Sequence, residues 1–68
     1  MGYSGWTHID FKEIIDETEK SFCINPEGNL KKFWVPKKMV AHRKDYKMGD
    51  KNGCISIKDE WCEKEGIV

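Results

Sequence analysis

Asn25-Pro26-Glu27-Gly28-Asn29 stands between two short apolar runs, Ser21-Phe22-Cys23-Ile24 and Leu30 to Val35. Proline arrives with its φ already fixed and glycine reaches a positive φ without a Cβ clash, so this stretch reverses the chain and predicts a β-hairpin. On the return strand, alternation puts Phe33 and Val35 on one face and Trp34 on the other. Pro36 closes it, because proline has no amide proton to give to a ladder.

The preceding segment, His8 to Glu19, carries two patterns at once. Phe11, Ile14, Ile15 and Thr18 fit a helical stripe, whereas Ile9, Phe11, Glu13 and Ile15 alternate as in a strand. Thr7 followed by Asp10 imitates a capping box. Frequent β-branched residues and the polar Asp16-Glu17-Thr18-Glu19-Lys20, which leads directly into the β-rich Ser21 to Ile24, favour strand and turn.

Beyond Pro36, Lys37-Lys38-Met39-Val40 is expected to make one tight turn that returns Met39 or Val40 to the core. Residues 45–53 contain Gly49, Asp50, Asn52 and Gly53 and read as a mobile polar loop. Cys54-Ile55-Ser56-Ile57 alternates as a last strand. Asp59 to Glu65 then reads as a helix, with acids in its first turn to suit the dipole, Gly66 to stop it, and Trp61 and Ile67 to dock it on the sheet. The predicted fold is α+β and mainly β: a small antiparallel sheet or SH3-like barrel of about five short strands with a short C-terminal helix. Residues 1–68 form one domain, with residues 1–5 expected to be disordered.

A chain of 68 residues has room for one core, and a domain of about 60 residues buries only roughly 60% of its unfolded surface, which leaves little material for a deep catalytic cleft. Three Trp, three Phe and two Tyr supply the anchors of that core. The three cysteines, Cys23, Cys54 and Cys62, lack the dense even spacing of a disulfide scaffold. No charged stretch followed by an apolar one opens the chain, and no apolar run approaches the roughly 18 residues of a membrane span. These features predict a cytoplasmic protein with reduced thiols and no membrane partner.

Formal net charge is zero, yet it is unevenly spread. Lys31, Lys32, Lys37, Lys38, Arg43, Lys44 and Lys47 face the single acid Asp45 within residues 31–47, giving +6, and the remainder is −6. Aromatic residues and arginine dominate binding hot spots, so Trp34 or Tyr46 ringed by bases is a good anchor for a protein partner. The candidate partner-binding residues are therefore Lys31, Lys32, Trp34, Lys37, Lys38, Arg43, Lys44 and Tyr46. Edge strands of so small a sheet also allow self-association into a homodimer, or strand addition on a target.

Three stretches stand in a distinctive order: Glu17-Thr18-Glu19-Lys20-Ser21-Phe22, Phe33-Trp34-Val35-Pro36-Lys37-Lys38-Met39-Val40, and Ile57-Lys58-Asp59-Glu60-Trp61. Together they resemble small phage and prophage accessory proteins that carry Glu-Thr-x-Lys-Ala, then Trp-Ile/Val-Pro-Lys-Ser, then a terminal tryptophan-bearing helix. Here Ser21 replaces the usual alanine and Lys38 the usual serine. The resemblance implies non-catalytic binding to a host or phage protein, including inhibition of a bacterial defence system by covering a functional surface. Trp34 to Val40 also looks like the final strand and 3₁₀ turn of SH3-like barrels, without the groove residues that bind proline-rich peptides.

Zinc binding, thiol catalysis and nucleic-acid binding each ask for a particular residue pattern. Zinc sites draw ligands in close pairs, and the nearest cysteines are separated by seven residues, so buried cysteines and surface histidines are the expectation and no metal or other cofactor is predicted. A nucleophilic thiol needs a lowered pKa, whereas Cys62 lies among Glu60, Glu63 and Glu65. Catalysis is not expected. The alternative to a protein partner is single-stranded nucleic acid, because lysines interleaved with Phe33, Trp34 and Tyr46 could contact phosphates and stack bases. Set against it are a neutral domain charge and the chance that the lysines pair across strands with Asp10, Glu13 and Glu19.

Overall fold

The computed structural model describes residues 5–67. Four strands form one antiparallel sheet: β1 (Trp6–Glu17), β2 (Ser21–Pro26), β3 (Phe33–Pro36) and β4 (Lys51–Lys58), in the order β3-β2-β1-β4. A 3₁₀ turn at Lys37–Met39 follows β3, a second spans Arg43–Asp45, and helix α1 (Asp59–Glu65) ends the fold. The architecture is α+β and mainly β, as the sequence indicates.

Among the described residues the sheet has four strands rather than five, and no barrel closes. The cause lies just past β3. The first 3₁₀ turn carries the chain from one edge of the sheet toward the other, where Val40 bridges Ile57 and the Ala41 N–H donates to the Ser56 carbonyl at 3.0 Å. His42 then takes a left-handed φ of 53° and the chain leaves the ladder. What would be a fifth strand is a single bridge.

Strand β1 resolves the two patterns read in its sequence. Against β2 its register shifts twice, between Phe11 and Glu13 and between Ile14 and Asp16. An extra residue in a strand turns the alternation over. Ile9, Phe11 and Ile14 therefore face the core, while Glu13 and Ile15, which strict alternation would put there, are only half-buried. The three-residue step from Phe11 to Ile14 imitates a helix but comes from a bulge. Phe22, Ile24, Val35, Val40, Ile55, Ile57 and Cys62 complete the core.

Other boundaries move for local reasons. β2 runs on to Pro26, since the Glu27 N–H is held by the Asp10 carbonyl at 3.0 Å, and β3 starts only at Phe33, leaving Leu30 exposed in the loop. The expected loop at residues 45–53 is built structure: Asp45 ends the second 3₁₀ turn, residues 47–50 form a tight turn, and β4 begins at Lys51. Gly49 N–H donates to the Ile14 carbonyl and Ile14 N–H to the Asp50 carbonyl, both at 2.8 Å, so this turn extends the β1–β4 ladder. Of the residues expected to be disordered, 1–4 lie outside the described residues, and Gly5 accepts the Asp59 N–H at 2.8 Å.

Helix α1 starts where Asp59 also accepts the Thr7 hydroxyl, and it ends as the sequence predicts. Gly66 has φ 74°, its N–H reaches the Glu63 carbonyl at 3.2 Å, and Ile67 N–H reaches the Cys62 carbonyl at 2.9 Å, the two bonds of a Schellman cap. Cys62 is fully buried, and Trp61 lies over Phe33 with ring centroids 6.0 Å apart.

Candidate partner-binding surface

The corner where β1 ends, β2 begins and β3 passes into its 3₁₀ turn is held by Glu17. Its Oε2 accepts from Lys37 Nζ at 2.6 Å and its Oε1 from the Met48 N–H at 2.9 Å, tying the turn after β3 and the turn before β4 to one carboxylate. The Lys37 hydrogen bond, then the Met48 N–H, hold the Glu17 carboxyl below its ordinary range. Lys37 also lies over the Phe22 ring, 4.9 Å from its centroid, a cation–π contact. Thr18 takes the turn position, its hydroxyl accepting from the Ser21 N–H at 3.0 Å. Two of the three stretches that carry the phage-protein resemblance thus meet in space, and Glu17, Thr18 and Lys37 have structural duties there.

Beside this corner a shallow groove of about 670 Å³ is lined by Glu19, Lys20, Ser21, Pro36, Lys37, Lys38 and Arg43. Four cations and one carboxylate face it. Lys37–Glu17 is the one ion pair among the described residues, so Lys20, Lys38 and Arg43 have no ion-pair partner among them. Among the described residues no lysine of the basic segment ion-pairs with Asp10, Glu13 or Glu19; the lysine opposite Glu13 is Lys51 of β4. Lys20 lies outside the basic segment and was invisible to a count along the chain; the turn at Thr18 brings it in.

Trp34 lies next to the groove. It shares a face of β3 with Pro36, two residues and about 6.6 Å away, and stands opposite Cys23 on β2. Cys23 is covered, but Trp34 is 48% exposed and makes no hydrogen bond or ring contact among the described residues. Lys31 and Lys32 lie on the loop before β3, beside a hollow that also includes Glu65. Lys44 is exposed on the second 3₁₀ turn and shares a separate hollow with Arg43.

Tyr46 is placed differently from the exposed anchor read in the sequence. Its ring meets Phe11 and Phe22 edge-on, with centroids 6.4 Å away in each case, and its hydroxyl donates to the Cys54 carbonyl at 2.9 Å. Burial first, then Cys54 and Asp45, push its phenol above the ordinary value. Phe33 is likewise occupied by Trp61. Of the aromatics in the basic segment only Trp34 faces solvent broadly.

The thiols of Cys23, Cys54 and Cys62 are all pushed up, in each case first by burial, with Asp16, Asp10 and Asp59 adding to it respectively. They stay protonated at neutral pH and are poor nucleophiles. His8 Nδ1 and Ser56 Oγ are 2.7 Å apart on β1 and β4, a pairing that only the strand register brings about. Among the described residues no three His, Cys, Asp or Glu side chains come together as a metal site. Among the described residues no helix is long and apolar enough to cross a membrane.

These features define a class, a small rolled antiparallel sheet with an aromatic and cationic outer corner. In comparisons with known proteins, no family model, no curated protein and no solved structure matches the chain.

Proposed function

We propose that this chain is a non-catalytic binding protein, a cytoplasmic phage or mobile-element accessory factor that docks on an acidic surface of a host or phage protein. A bacterial defence component whose working surface is covered in this way is the favoured target. The observation that carries the reading is Trp34, 48% exposed, beside a groove where Lys20, Lys38 and Arg43 have no ion-pair partner among the described residues. A desolvated aromatic anchor within a ring of complementary charge is how small interfaces gain both affinity and on-rate. The phage origin and the inhibitory role rest on the motif resemblance.

The test is capture from a bacterial lysate with the wild type and with Trp34→Ala, Lys38→Glu and Arg43→Glu combined. Lys37 is left intact because it holds Glu17. A partner recovered by the wild type and lost with the triple variant, at equal thermal stability, is the expected result; equal recovery removes this surface from the function. Titration with labelled single-stranded DNA at two salt concentrations addresses the nucleic-acid alternative, since phosphate contacts weaken as salt rises. With Tyr46 and Phe33 committed to the core side, that alternative retains Trp34 as its stacking platform.

A further inference from the structure

β3 is an edge of the sheet, with no strand beyond it among the described residues. The Lys37 N–H donates to the Lys20 carbonyl at 2.7 Å, which sets the hydrogen-bonding phase of the β2–β3 pair. By alternation, Phe22–Val35 and Ile24–Phe33 exchange amide bonds, while Cys23–Trp34 and Ser21–Pro36 do not. The Trp34 N–H and carbonyl therefore point outward, while the Pro36 carbonyl caps the 3₁₀ turn that follows. Proline is tolerated at that position because no ladder bond calls for its N–H.

We infer that this edge accepts an extended acidic segment of the partner as an added antiparallel or parallel strand. The inference rests on the binding surface proposed above and specifies how it is used. Charge complementarity selects the occupant: Lys31 and Lys32 precede β3, Lys37 and Lys38 follow it, and only Lys37 is ion-paired among the described residues. A second copy added antiparallel would bring Lys31 and Lys32 of one chain against Lys37 and Lys38 of the other, a like-charge juxtaposition that disfavours the homodimer. A strand with alternating acids meets cations at both ends of β3. Main-chain bonds to Trp34 supply affinity, and the indole covers the added strand's side chains on one face.

The probe is a short fluorescent peptide alternating glutamate with valine, followed by anisotropy and by amide hydrogen exchange of the intact protein. Saturable binding that slows exchange of the Trp34 amide is expected, with no binding of the lysine–valine counterpart. N-methylation of alternate peptide amides should weaken binding by about two- to tenfold in the register whose amides face β3, as loss of the bond to the Trp34 carbonyl requires, and be tolerated in the other. If the peptides N-methylated in either register bind as tightly as the parent, strand addition is wrong while the cationic surface stands. If combined Trp34→Ala and Lys38→Glu leave binding of the parent peptide unchanged, the surface itself is wrong. Protection of the Trp34 amide that grows with protein concentration in the absence of peptide assigns the edge to a second copy and overturns the inference.

Discussion

Gly53→Ala tests the one described glycine at which an added Cβ would meet a neighbouring side chain. Gly53 lies opposite Phe11 in the β1–β4 register, and a Cβ there would sit 2.7 Å from Phe11 Cζ and 3.2 and 3.3 Å from its two Cε atoms. Carbon atoms prefer about 3.5–4.0 Å, so the ring must retreat by about 1 Å. It has nowhere to go: Phe11 is 2% exposed and meets the Tyr46 ring edge-on. Overpacking of this kind costs about 1–3 kcal/mol, against roughly 0.4–1 kcal/mol regained because alanine restricts the unfolded chain. A net loss of about 1–2 kcal/mol lowers Tm by roughly 5–15 °C in a domain of this size. Thermal melts followed by far-UV circular dichroism measure it. Phe11→Leu, which withdraws the ring, should make the same Gly53→Ala change close to neutral, so that the double-mutant cycle returns a coupling of about 1 kcal/mol or more. An unchanged or raised Tm for Gly53→Ala refutes the reasoning.

Glu17→Gln should flatten the acid side of the stability profile: the Glu17 carboxyl lies below its usual value of 4.5, so its contribution is present above that pH and is lost as pH falls through the lowered value. Urea melts of both proteins across that window check this, and parallel profiles would show that Lys37 and Met48 do not depend on the charge. Tyr46→Phe removes the bond to the Cys54 carbonyl and should cost about 0.5–1.5 kcal/mol while leaving partner capture intact; lost capture at unchanged stability would return Tyr46 to the binding surface. Ile14→Ala should cost about 2–5 kcal/mol because the side chain is fully buried. Ile15→Ala should cost clearly less, and equal losses would contradict the bulged register.

How much of this was legible in the sequence depends on whether the signal was local. The turn before Asn29, the 3₁₀ turn after Pro36, and the helix from Asp59 with its Gly66 stop are set by residues within a few positions of each other, and the elements form there. The bulges in β1 depend on how Lys12 and Ile15 pair with another strand, which a period of two cannot express. The missing fifth strand depends in the same way on where the chain leaves Ile57. At the surface, a run of bases along the chain mixed three different roles. Lys37 closes the end of the core with Glu17, Tyr46 fills the core's flank, and Lys38 and Arg43 are left with no structural partner among the described residues.

That separation sharpens what a functional residue means in a domain this small. Groups already satisfied by the fold, such as Glu17 and Lys37, hold the corner together. Trp34, Lys38 and Arg43 are the converse: their exposure and unmatched charge confer no evident advantage on the folded monomer, and an indole left 48% exposed on an open strand edge is a standing association hazard. In the proposed role, the cations around it would discourage pairing with a second copy and favour an acidic segment instead. The same charges would then both guard the edge against self-association and choose what it accepts.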